Sequence, residues 1–81
     1  MDVKVLGPGC AKCRKLYEQA EKGIAEAGVA VNLVKVEKLD EIIAYAVMMT
    51  PALVINEEVK STGRIPSPSE IAGWVKAAAA Q

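Results

Sequence analysis

The sequence predicts an α/β fold of order β-α-β-α-β-β-α, a four-stranded mixed sheet flanked by helices. Three observations carry this. A short β-branched run is broken by Gly7-Pro8-Gly9 and followed by a long amphipathic stretch. A continuous apolar run, Ala52 to Ile55, stands directly behind a proline. A capped helix closes the chain. With 81 residues the chain is expected to form one domain, 1–81, around one small core.

The elements follow in order. "VKVL", Val3 to Leu6, is a strand ended by the Gly-Pro-Gly breaker. From Ala11 to Ala27 a helix is expected, with Leu16, Tyr17, Ala20, Ile24 and Ala27 as its apolar stripe. Glu18 and Lys22 sit four apart in the favourable order on its other face, and Gly28 stops it. Val29 to Val36 is β-branched and roughly alternating, hence a second strand. A helical crossover between parallel strands is right-handed almost without exception, so the first half forms a β-α-β unit. A second helix is expected from Leu39 to Val47, with Leu39, Ile42, Ile43 and Ala46 on one side. Ala52 to Ile55 lacks alternation, as a strand covered on both faces does. "NEE" turns into "VKST", a more exposed strand that Gly63 ends. Ser67-Pro68-Ser69-Glu70 combines an N-cap serine, a proline at the first helical position and a glutamate three after the cap. The helix it starts presents Ile71, Trp74, Val75 and Ala78 on one face, so Trp74 is expected in the core.

Composition removes several function classes. Acidic and basic residues are equal in number, which argues against a general nucleic-acid binder. No apolar run approaches the ~20 residues that span a bilayer. "MDVKVLG" has an acid where a signal peptide needs positive charge. A cytoplasmic location is therefore expected, with no nucleic-acid and no membrane partner. There thiols stay mostly reduced, and a bridge between residues three apart would constrain little of the unfolded chain. The pair in "GPGCAKC" is thus expected to be reactive or metal-binding rather than a staple.

Cys10 falls at the start of the first helix, where unpaired N–H groups and the helix dipole favour an anion. Helix N-termini lower thiol pKa values, and the thiolate is the nucleophile. Cys13 lies almost one turn on and is expected to be more buried. Cys10 then attacks a partner disulfide and Cys13 resolves the mixed disulfide. Lys12, Arg14 and Lys15 oppose the helix dipole in the first turn, so they either stabilise a thiolate or form a solvated surface. Pro51 by itself marks only a strand start.

At this point the chain resembles the thioredoxin-fold family. The likeness rests on Cys-x-x-Cys at the first strand–helix junction, then "TPALVIN", a hairpin and a capped helix. It is most similar to the small glutaredoxin-like thioredoxins, short redox-active disulfide proteins of archaea and bacteria. The resemblance implies a thiol–disulfide oxidoreductase with Cys10 as nucleophile and Cys13 as resolving thiol. It also implies a cis Pro51 packed against the disulfide and a Thr50 backbone that pairs with substrate. The implied partners are disulfide-containing protein substrates and an unidentified reductase or thiol donor; a monomer with no cofactor is expected. Three departures stand out. Gly9 occupies the place of the usual tryptophan, making it, with Lys12, a residue that tunes the site. The buried acid that thioredoxins carry in the first strand is absent, and Lys4 is the one charged interior residue there. Only Gly63, followed by Arg64, stands where glutaredoxins have a Gly-Gly pair that seats glutathione.

Three alternatives stay open. The opening "VKVLGPGCAKC" also resembles heavy-metal-associated domains, which hold Cu(I) between two thiolates, although their order is β-α-β-β-α-β. Two cysteines and no histidine leave a single chain two soft ligands short of a tetrahedral zinc site. A non-catalytic adaptor is the third, with Met48 and Met49 as an adaptable surface beside the site.

Overall fold

The computed structural model describes residues 1–9 and 11–80. Its elements are β1 (Asp2–Leu6), α1 (Ala11–Ala27), β2 (Asn32–Val36), α2 (Leu39–Ile43), β3 (Ala52–Ile55), β4 (Glu58–Thr62) and α3 (Pro68–Ala79). The strands form one sheet in the order β2-β1-β3-β4. β1 runs parallel to β2 and antiparallel to β3, and β3 runs antiparallel to β4. This is the mixed, thioredoxin-like α/β fold expected from the sequence.

Side-chain alternation along the central strands builds two cores. Val3 and Val5 of β1, with Leu53 and Ile55 of β3, face α1 and α3 and meet Leu16, Ala20, Ile71 and Val75. Leu6, Ala52 and Val54 face the other way and meet Val36 and Ile42 under α2. β3 is buried at all four positions because both faces are covered, which is why its sequence does not alternate. Asn56 and Glu57 both take positive φ, 49° and 66°, as a two-residue hairpin turn requires. Glu58, expected in that turn, is instead the first residue of β4.

α1 and α3 pack against each other on one face of the sheet. At their contact α1 carries Gly23, which is buried. A Cβ there would stand 2.7 Å from the Ile71 Cβ and 2.9 Å from the Pro68 carbonyl oxygen. α3 begins as its signature requires: the Ser67 side chain accepts from the Glu70 N–H at 3.2 Å, with Pro68 at the first turn. Trp74 is half-buried at the margin of the core, with the Arg64 guanidinium 5.9 Å from its ring centroid.

Two elements are shorter than expected. β2 starts at Asn32, not Val29, because it is an edge strand whose one neighbour, β1, begins its register at Asp2↔Asn32. Val29 and Val31 pack against the core without pairing. α2 ends at Ile43, not Val47. The Ala46 N–H donates to the Ile43 carbonyl at 2.8 Å in a tight turn, and Ala46 takes φ 59°. The turn brings the Tyr45 hydroxyl onto Lys4 at 2.7 Å and Glu57 at 2.9 Å. Of the expected apolar face of α2, Ile42 alone is buried; Leu39 and Ile43 are 70% and 61% exposed.

Candidate active site

Cys10 lies outside the described residues, so the site is built around Cys13. Cys13 joins α1 in register with Leu16, Ala20 and Gly23, spacings of three, four and three that define the buried stripe. Its side chain is 5% exposed. Lys12, Arg14 and Lys15 are all exposed, and no acid stands in the first turn of α1. Gly9, the residue before Cys10 in the sequence, takes φ 88°, a left-handed conformation that favours glycine.

Gly7 is the junction of the site. Its N–H donates to the Val36 carbonyl at 2.9 Å, continuing the β1–β2 pairing by one residue. A Cβ on Gly7 would overlap the Cys13 Sγ and would stand 3.9 Å from the Thr50 Cβ. The missing side chain therefore lets the end of β1 approach both the α1 thiol and the loop before β3. The Thr50–Pro51 peptide is cis. Pro51 is fully buried, its carbonyl accepts from the Gly63 N–H at 2.9 Å, and Thr50 is exposed. Cys13 and Thr50 thus both lie beside Gly7. Met48, 95% exposed, and Met49, packed on Gly63, precede Thr50.

A cavity of about 210 Å³ opens at Cys13, lined also by Gly7, Gly9, Arg14, Lys35 and Glu37. The Glu37 carboxylate sits over Gly9, 2.9 Å from where a Cβ would be. Lys35 lies 4.7 Å from the centroid of the Tyr17 ring, a cation–π arrangement that fixes its direction. In the sequence Gly7 stands only as part of the Gly-Pro-Gly breaker, and Lys35 and Glu37 are not among the candidate site residues. The usable signal was strand alternation, since Lys35 must point away from the face that takes Val34 and Val36.

A larger cleft, about 510 Å³, lies over the opposite face of the sheet. Lys4 is there and not beside Cys13. Its ammonium donates to Glu57 at 2.6 Å and to the Tyr45 hydroxyl at 2.7 Å. Those bonds, with Glu57 the larger effect, hold the Lys4 ammonium above its ordinary pKa. The same bonds hold the Glu57 carboxyl below the usual carboxylate range, Lys4 again contributing most. The triad ties the end of α2 and the hairpin turn to β1. Among the described residues no group of three or more Cys, His, Asp or Glu is placed to hold a metal.

Residues 1–76 match the family model described as a thioredoxin domain. A thioredoxin of Methanocaldococcus jannaschii is 35% identical over 69 residues, which span 85% of this chain and 79% of that protein. A thioredoxin of Methanothermobacter thermautotrophicus is 31% identical over 71 residues, 88% of this chain and 92% of that protein. No helix among the described residues is long and apolar enough to cross a membrane.

Proposed function

Because the chain belongs to the thioredoxin-domain family, we propose that it is a thiol–disulfide oxidoreductase that reduces protein or small-molecule disulfides through Cys10 and Cys13. The observation that carries this reading is that Cys13 and Thr50, the residue before the cis Thr50–Pro51 bond, both lie beside Gly7. The Cys10 thiolate attacks one sulfur of the partner disulfide, and the other sulfur leaves as a thiolate. The Cys13 thiolate then attacks the Cys10 sulfur, the bond to the partner breaks, and a Cys10–Cys13 disulfide remains. Two electrons pass to the partner, and the dithiol itself carries them, with no bound cofactor. Thr50, exposed beside the thiol, offers its backbone to the substrate chain, and Pro51 shapes the floor. Lys12 and Gly9 tune the Cys10 environment. A reductase or small thiol donor restores the dithiol. We place this activity in a cytoplasmic monomer.

The copper-carrier reading has less support, because the chain has a helix between its second and third strands and ends in another. The test is reduction of a protein disulfide by the pre-reduced protein. The parent should turn it over, and Cys10→Ser should abolish the reaction while Lys12→Glu retains most of it. An inactive parent that binds Cu(I) tightly, one per chain, would replace this reading with the metal carrier. An inactive parent that still captures protein partners would replace it with the adaptor.

A further inference from the structure

Resolution of a mixed disulfide needs the second sulfur at one place and on one line, because a disulfide forms only within a narrow geometry. Cys13 is the third residue of α1, on its buried face, and Gly7, just beyond β1, stands against it. The Cys13 Sγ occupies the volume that a side chain on Gly7 would fill. The backbone at this position does not itself call for glycine. Gly9, Gly28 and Gly63 take positive φ and Gly7 does not, so other residues can adopt its conformation. Its N–H bond to the Val36 carbonyl, at 2.9 Å, survives any substitution except proline. The Thr50 Cβ, 3.9 Å from the missing Cβ, would be in ordinary contact. What the glycine provides is room for one sulfur.

We infer that Gly7 is the positioning residue for the resolving thiol: its missing side chain is the seat from which the Cys13 sulfur attacks the mixed disulfide. This rests on the oxidoreductase reading above and names what holds the second thiol in line. Gly7 supplies no reacting group and acts through Cys13.

A methyl at position 7 would stand 3.2 Å from the Cys13 Cβ, a tight approach, and would take the place of Sγ outright. Sγ is the end of a flexible side chain, so it yields by turning about χ1 to another staggered position. The backbone has little reason to move, and the cost falls on the chemistry more than on stability. From the displaced position the Cys13 thiolate attacks the Cys10 sulfur, the Cys10–partner bond breaks, and the partner sulfur leaves as a thiolate. The approach is then out of line, and the Cys10–Cys13 disulfide that forms is strained and more easily reduced.

The test is Gly7→Ala in the full, pre-reduced chain, mixed in stopped flow with an aromatic disulfide, dithiobis(nitrobenzoate). The first coloured thiolate released reports attack by Cys10, and the second reports attack by Cys13. The first phase should stay near the parent's while the second slows at least about tenfold. The equilibrium constant for the intramolecular disulfide should fall by a similar factor, which raises the reduction potential by about 30 mV. A structural role alone would lower the urea midpoint and leave the second phase and the potential where they are. A second phase as fast as the parent's or faster overturns the inference, and so does an unchanged potential. Urea midpoints with Cys13 present and in the Cys13→Ala background isolate the contact: the loss from Gly7→Ala should shrink where the sulfur is gone. An equal loss in both backgrounds overturns the inference. If Gly7→Ala does not fold with Cys13 present, it must fold with Cys13→Ala, or the inference fails. If the parent itself releases one equivalent only, the oxidoreductase reading fails, and this inference falls with it.

Discussion

Replacing Cys13 with Ser should stop turnover at the mixed disulfide and leave partners covalently attached to Cys10. The expected readout is a mass equal to protein plus partner, lost on adding a strong reductant. The asymmetry comes from exposure. Cys13 is 5% exposed, on the buried face of α1 and against Gly7. A disulfide within a folded partner therefore cannot reach it in line, whereas an attack from within the chain needs no such access. Serine is nearly isosteric with cysteine but buries a hydroxyl, at a cost of about 1–3 kcal/mol if it finds no partner. Cys13→Ala avoids that cost and should trap equally well. If Cys10→Ser accumulates the adduct and both Cys13 variants do not, the roles are reversed.

The two helix glycines that lie on packed and open surfaces should respond in opposite directions to the same substitution. Gly23→Ala should destabilise the protein by about 1–3 kcal/mol, the usual range for overpacking a filled contact. The new methyl would meet Ile71 at 2.7 Å and the backbone oxygen of Pro68 at 2.9 Å, so α3 must move as a unit. Part of the loss is offset by about 1 kcal/mol of helix propensity. Gly73→Ala meets nothing within 4 Å on exposed helix and should gain about 0.4–1 kcal/mol. For a domain of 81 residues total stability is on the order of 4–12 kcal/mol, so the first change is a large fraction of it. Urea midpoints of the two variants, measured beside the parent, decide it. A Gly23→Ala midpoint at or above the parent's would mean that the α1–α3 contact is looser than described.

Local chemistry written into consecutive residues was legible in the sequence. The Ser67 cap, the Gly28 stop and the unalternating Ala52–Ile55 run each depend on neighbours in the chain, and each was readable there. The burial of Cys13 was readable from its place almost one turn beyond the start of α1. What was not legible depends on distant partners. α2 stops early where Tyr45 turns toward Lys4, 41 residues away, and Glu57, 12 residues away. Periodicity over Leu39–Val47 carries no trace of that triad. Gly7 reads as part of a loop breaker, and nothing in its local sequence singles out Gly23. Their meaning lies in the atoms that approach them, a thiol in one case and a neighbouring helix in the other. The place of the Glu37 carboxylate over Gly9 likewise depends on the parallel pairing of β2 with β1.

The most direct test of the central claim is the equilibrium reduction potential of the metal-free protein, read from the ratio of dithiol to intramolecular disulfide across a series of thiol buffers. The account predicts a single reversible two-electron transition between Cys10 and Cys13. Its potential should fall in the span of about −270 to −200 mV covered by thioredoxins and glutaredoxins. No intramolecular disulfide at any poise would contradict the oxidoreductase reading outright.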